Sequence, residues 1–277
     1  MKVSVCIASR GRPDLCRQTV AKLLAGIVLP DTRIVVALDN DDPERDNYGL
    51  SGCTVSVADR EDSLGAKWNR AYRHADGDVA VLWPDDTVMP DKGWDEALAK
   101  AAGTLPDQCG AVFFGDIPGV LQPGIAITRK FAEAMGFFAV EFFPAWFVDT
   151  WVLELATMSG RAARADVRVS LLTDLKGASR GIREVGFWAR FFDALRPARV
   201  ATAQRIINDG PETPERKALL LRQITDWNDR WTHSNSVLRD PVRAAELEKH
   251  YAFDSDPSER YMRLKAKAED ILAELPA

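Results

Sequence analysis

Asp78-Val-Ala-Val-Leu-Trp-Pro-Asp-Asp86 decides how this chain is read. The apolar run Val79 to Trp83 has the length and continuity of a strand buried on both faces, as in a parallel sheet. Pro84 has no N–H to donate, so the hydrogen-bond ladder stops there, and two carboxylates follow at once. Open α/β sheets bind ligands outside the carboxyl ends of their central strands, which is where Asp85 and Asp86 fall. Adjacent anions repel, so the pair implies a cation, a donor-rich ligand or a solvated turn. Pro-Asp-Asp-Thr is also good turn chemistry and Asp caps helices, so the stretch alone leaves these readings open.

Outward from this strand, strand and helix signals alternate. Val3 to Ala8, Arg33 to Leu38, Thr54 to Val57 and Gly110 to Phe114 are short apolar runs that predict strands. Between them, Pro13 to Ala25, Ser63 to Ala75 and Asp91 to Ala102 carry helical periodicity, the first with Pro in its opening turn. Strands separated by helices of this length predict βαβ units, hence an α/β fold with a mixed, mainly parallel sheet flanked by helices. After Pro118 the regularity loosens. A strand over Gly124 to Thr128 leads into a helix over Arg129 to Met135, and Val148 to Gly160 reads as a buried helix closed by its glycine. Pro214 to Trp231 and Pro241 to Leu275 interleave acids and bases and read as a solvated helical appendage. The expected organisation is a domain over 1–205, with halves 1–118 and 119–205, and a helical C-terminal extension over 206–277.

A chain of 277 residues can bury a sizeable core, and its net charge of −5 disfavours a protein that coats nucleic acid. Cys6, Cys16, Cys53 and Cys109 form no CxxC pair and fit a reduced compartment better than a disulfide framework or zinc site. Met1-Lys2 leads straight into a strand rather than a signal peptide, and no apolar run has the length of a membrane span. A cytoplasmic location is the expectation.

Each apolar strand turns polar at its carboxyl end: Ser9-Arg10, Asp39, Asp59-Arg60 and Asp85-Asp86. A parallel sheet lines its ligand crevice with these positions. Any one strand must end in something polar, but several acids and arginines on one edge ask for more. Taken in order, Val3-Ser-Val-Cys-Ile-Ala-Ser-Arg-Gly-Arg-Pro13, Val35-Val-Ala-Leu-Asp-Asn40, Leu64-Gly-Ala-Lys-Trp-Asn-Arg70, Leu82-Trp-Pro-Asp-Asp-Thr-Val88 and Gly93-Trp-Asp95 resemble a family 2 glycosyltransferase with the GT-A fold. The resemblance covers about residues 1–180.

It implies that Ser9 and Arg10 lie at a nucleotide pocket and that Asp39 accepts hydrogen bonds from the nucleobase, usually uracil. It further implies that Asp59 and Arg60 contact the base or ribose, and that Lys67 and Asn69 face the donor. Asp86, with Asp85 beside it, takes the place of the DxD motif that holds Mn²⁺ or Mg²⁺ against the donor diphosphate, with Asp85 also on the donor. In Phe147-Val-Asp-Thr-Trp-Val-Leu-Glu-Leu155, Asp149 takes the place of the general base; a plain helix cap is the competing reading. Trp146, Trp151 and nearby phenylalanines would floor an acceptor pocket or simply form core. Asp174, in Leu172-Thr-Asp174, stands where many relatives carry a metal-binding His.

Three positions depart from the pattern. Pro84 stands at the first DxD acid, Val148 replaces a Glu that often precedes the base, and the His is absent. From Arg161 to Arg205, ten Lys/Arg face four Asp/Glu. These read as solvated faces, with an anionic acceptor or donor phosphates as the alternative. The implied activity is metal-dependent, inverting transfer from a nucleotide-diphospho-sugar, UDP-linked, to a hydroxyl acceptor that is a saccharide, a lipid-linked group or a modified nucleic-acid base. A non-catalytic nucleotide-sugar-binding module is the alternative, and the C-terminal helices offer a surface for homo-oligomers. A nucleotidyltransferase would need a Gly-rich loop after the first strand, and Ser9-Arg-Gly-Arg-Pro13 has one Gly.

Overall fold

The computed structural model describes residues 1–115, 124–172, 183–225, 240–242, 245, 246, 249 and 258–275. Unbroken apolar runs make its central strands. All of β1 (Val3–Ala8) is buried, as is all of β4 (Val79–Pro84) except half-buried Pro84. β2 (Arg33–Asp39) is buried beyond Arg33, whereas β3 (Thr54–Ala58) exposes Val55 and Val57, as an edge strand does.

The sheet runs β3-β2-β1-β4-β7-β6-β8, where β6 is Ala111–Phe114, β7 Gly124–Thr128 and β8 Ala162–Arg164. β3, β2, β1 and β4 are mutually parallel, β7 is antiparallel to β4 and β6, and β8 runs parallel to β6. The order reverses at β1, between β2 and β4, which opens a crevice at their carboxyl ends. Just past β4, β5 (Thr87–Val88) pairs with β9 (Ser170–Leu171) in a separate ladder, so Asp85-Asp86 is the link between two sheets.

Period-two alternation divides the strand residues between two faces. Cys6, Ala80 and Leu82 join one hydrophobic cluster; Val5, Ile7, Val81 and Trp83 join the other. Helices α1 (Pro13–Gly26) and α3 (Trp94–Gly103) cover the second face. The first is covered by α2 (Leu64–Arg73), α4 (Arg129–Met135), α5 (Val148–Met158), α6 (Val185–Ala194) and α7 (Arg196–Asp209).

Most expected elements are present, with shifted ends that have local causes. α2 starts one residue late because Ser63 is its cap, its side chain accepting from Ala66 N at 3.1 Å. α3 starts at Trp94 rather than Asp91 because Gly93 turns the chain at φ 84°. Two arginines of the basic stretch are core struts, not solvated. Arg161 is 1 % exposed and pairs with Asp107 and Glu212, and Arg199 pairs with Glu154 beneath Phe192.

The boundary expected between 205 and 206 falls inside α7, and Leu220, Ile224, Leu264 and Ala268 join the same core as Trp151 and Phe191. Residues 214–225 are helical, and a last helix spans Glu259–Glu274. Among the described residues no helix is long and apolar enough to cross a membrane.

Candidate functional site

The Asp85-Asp86 turn is pinned from several directions. Thr19 of α1 donates to the Asp85 carbonyl at 2.9 Å, Leu172 N to the Asp86 carbonyl at 2.7 Å, and Trp83 Nε1 to the Thr87 carbonyl at 2.8 Å. Its carboxylates are 0 % and 3 % exposed as residues, yet neither is left alone. Arg12 spans them: one guanidinium nitrogen donates to Asp86 at 2.9 Å and the other to Asp85. Ser9 also donates to Asp85, and Thr87 to Asp86 at 3.2 Å. Burial pushes the Asp85 carboxyl above the usual range; Arg12 and Ser9 oppose that shift and Asp86 adds to it.

The Arg10-Gly-Arg12 loop makes this possible. Gly11 adopts φ 67° and donates its N–H to Asp42 at 2.9 Å, so the flanking arginines diverge. Tyr48 braces the loop, its hydroxyl donating to Asp42 at 3.1 Å and accepting from Arg12 N at 3.4 Å. Burial works to raise the Asp42 carboxyl, but the donors from Gly11, Glu44 and Tyr48 outweigh it and hold it below the usual range.

Asp39, at the end of β2, is 1 % exposed and faces four cations. Lys67 Nζ lies 2.9 Å and Arg70 3.2 Å from Oδ1; Arg10 lies 3.3 Å and Arg60 3.7 Å from Oδ2. Lys67 also donates to the Ser9 carbonyl at 2.7 Å, strapping the ends of β1 and β2 together. Arg70 donates to the carbonyls of Leu38 and Ser56 at 2.8 and 2.7 Å. Burial lowers the Lys67 pKa despite Asp39, and burial followed by Arg260 and Arg10 lowers that of Arg60.

A cavity of about 490 Å³ opens above these strand ends, within the range of small-molecule sites. Ser9, Arg10, Arg12, Asp39, Arg60 and Lys67 line it from the sheet, and Pro144 and Ala145 from the segment before α5. Arg183, Ser258, Arg260 and Tyr261 close it from the C-terminal side. The last helix is held there by Arg263 and Lys267 on Asp62, at 2.7 and 3.4 Å, and by Tyr261, which donates to Glu184 at 2.8 Å. The acid pair does not line the cavity; Arg12 does.

No family model matches the chain, and no curated protein matches it in sequence. Solved structures do. The mannosyltransferase PcManGT from Pyrobaculum calidifontis, in complex with GDP-Man and Mn²⁺, aligns at TM-score 0.51 and 17 % identity over 98 % of this chain and 80 % of that one. S. aureus TarS with UDP-GlcNAc aligns at TM-score 0.55 and 11 % identity over 100 % of this chain and 82 % of that one. Glucosyl-3-phosphoglycerate synthase from Mycobacterium tuberculosis, with Mn²⁺, UDP and phosphoglyceric acid, aligns at 0.50 and 16 % over 72 % and 78 %. The fold is that of GT-A glycosyltransferases.

Within this GT-A fold the expected residues separate into groups. Ser9, Arg10, Asp39, Arg60 and Lys67 come together around the cavity, with Asp85 and Asp86 behind Arg12. Asn69 stands apart: its amide donates to Ala139 O at 2.8 Å and Glu141 at 2.6 Å and accepts from Ala139 N at 2.8 Å, so it ties down that segment. Asp59 borders a second cavity of about 450 Å³, beside Arg60, Arg260 and Arg263. Trp151 is buried among Phe137, Phe143 and Phe192 and is core. Asp174 lies outside the described residues.

Asp149 opens α5 and does not line the cavity. Solvent reaches it, but dense protein around it pushes its carboxyl above the usual range, against the Thr150 donors. Phe147, two residues earlier, holds φ 71°, a left-handed conformation that costs a non-glycine residue about 1–3 kcal/mol.

Sequence reasoning overlooked Arg12, Tyr48, Arg70 and Arg260, and it had Arg183 only as one of the basic stretch read as solvated or, alternatively, as anion-holding. The signal for Arg12 was a glycine between two arginines at the end of β1; Arg260 had none, being far from every strand end in sequence. For a divalent metal, Asp85 and Asp86 are adjacent hard-oxygen donors. Among the described residues no group of three or more metal-ligating side chains assembles. The pair therefore fits a cation that completes its shell from a ligand's phosphates, as Mg²⁺ commonly does.

Proposed function

We propose that this chain transfers a sugar from a nucleotide-diphospho-sugar, UDP-linked, to a hydroxyl acceptor with inversion at the anomeric carbon. The observation that carries this reading is the cavity on a GT-A sheet edge where Arg10, Arg12, Arg60 and Lys67 converge beside a buried acid pair. A dianionic diphosphate suits such a concentration of cations. The longer contacts of Asp39 Oδ2, at 3.3 and 3.7 Å, leave it able to accept from a nucleobase N–H.

Asp85 and Asp86 would hold Mn²⁺ or Mg²⁺, which supplies charge neutralisation on the departing nucleoside diphosphate. Asp149 takes the acceptor hydroxyl proton as the new C–O bond forms and the bond from the anomeric carbon to the diphosphate breaks. A carboxyl pushed above its usual range is a better proton acceptor, and so suits that role. A non-catalytic nucleotide-sugar-binding module is the second reading, favoured by the absence of Asp149 from the cavity lining.

The test is release of nucleoside diphosphate from a panel of UDP- and GDP-sugars with Mn²⁺, for wild type and Asp149→Asn. Release by wild type, largely lost in the variant while nucleotide binding persists, supports transfer with Asp149 as base. Binding without release on any donor or acceptor supports the module.

A further inference from the structure

We propose that Arg12 is a latch on the acid pair: its guanidinium covers Asp85 and Asp86 until a diphosphate draws it into the cavity, so metal and diphosphate bind together. This rests on the reading of the cavity as a donor site.

The geometry is specific. The Asp85 and Asp86 side chains are 0 % and 4 % exposed, whereas Arg12 is 34 % exposed. Arg12 lines the cavity and the acids do not, so whatever enters the cavity meets the guanidinium first. Both guanidinium ends are used on these two acids, one on each. A fork-shaped donor set of this kind matches phosphate oxygens as well as carboxylates. The latch is a side-chain rotation about a tethered backbone: Arg12 donates its N–H to the Tyr48 hydroxyl at 3.4 Å and its carbonyl accepts from Cys16 N at 3.0 Å.

Charge decides the order. Arg12 offsets one of the two carboxylate charges and holds an oxygen of each acid, so a metal arriving with Arg12 in place must compete with it for those donors. Adding a divalent ion with Arg12 in place would put like charges on the same oxygens in a buried site. Moving Arg12 onto a diphosphate removes that repulsion and satisfies the anion in one step. Each ligand then favours the other equally, as linkage requires.

The experiment is Mn²⁺ titration of the full chain, by calorimetry or by the spin resonance of free Mn²⁺, with and without UDP, for wild type and Arg12→Gln. In wild type, UDP should tighten Mn²⁺ binding about tenfold or more, within the usual span of coupling between sites. Arg12→Gln should bind Mn²⁺ alone about tenfold tighter than wild type, with the coupling to UDP reduced. Asp86→Asn in the Arg12→Gln background should abolish that gain. Arg12→Lys, which keeps a charge without the fork, should move the same way by less and serves if Arg12→Gln does not fold.

Mn²⁺ binding that is no tighter in Arg12→Gln than in wild type overturns the latch, because Arg12 then does not compete with the cation for the acid pair. Tightening without turnover of any donor would sink the proposed transfer and leave the latch standing. Turnover by wild type without tightening in the variant would do the reverse.

Discussion

Asp39→Asn removes one negative charge from beneath four cations, without changing the side chain's shape. Two of these partners are buried: the side chains of Lys67 and Arg70 are 9 % and 4 % exposed and lie 2.9 and 3.2 Å from Oδ1. The Arg10 and Arg60 side chains are 26 % and 35 % exposed, so water screens them and they add little. Removing one partner of a buried ion pair leaves the other charge uncompensated and costs about 3–5 kcal/mol. At about 2–4 °C per kcal/mol for larger domains, the unfolding midpoint should fall by roughly 6–20 °C.

The deficit should shrink at alkaline pH. Burial already lowers the Lys67 pKa, and without Asp39 it falls further. The native state then binds fewer protons than the unfolded one, so stability rises as pH climbs from the lowered native value to the ordinary lysine value. Urea denaturation at neutral pH and near pH 10 measures both effects. A neutral-pH loss below about 1 kcal/mol would refute Asp39 as the buried anchor of this site, since that is the scale of an exposed pair.

Asp149→Asn should lower kcat by about 10²–10⁴ and leave nucleoside diphosphate affinity unchanged, as read by steady-state kinetics and calorimetry. Its carboxyl is shifted upward, so wild-type kcat/KM should rise with pH through a limb above the ordinary aspartate range, and Asp149→Asn should lose that limb. Gly65→Ala should be destabilised by about 1–3 kcal/mol or more in urea, because a Cβ there would stand 2.0 Å from the Val140 carbonyl oxygen, a backbone atom. Tyr48→Phe should cost about 1 kcal/mol, near the low end for a lost buried hydrogen bond, because Gly11 and Glu44 still donate to Asp42.

The sheet was legible because its strands are buried on both faces. Runs such as Val3 to Ala8 and Val79 to Trp83 have no polar interruption, and each turns polar at its carboxyl end. That pattern fixes where a crevice opens, so Ser9, Asp39 and Asp85 could be placed from sequence. Side-chain partners were less legible, because they depend on which loops meet. Lys67 was expected to face a donor, but nothing in its sequence neighbourhood announced that it is buried against Asp39. Asn69, two positions further along α2, faces the other way and braces residues 139–141. The wall supplied by Arg260 and Tyr261 depends on the last helix packing back across the chain, held by Asp62 and Glu184. No local pattern announces so distant a contact.

Calorimetric titration of UDP and GDP with Mn²⁺ tests most directly whether the cavity at the carboxyl ends of β1 and β2 is a nucleotide-sugar donor site. Saturable binding of one diphosphate is expected, stronger than that of its free nucleoside and weakened by Arg60→Gln, which alters the cavity wall without touching the acid pair. No binding of either diphosphate, or binding that Arg60→Gln leaves unchanged, would contradict it.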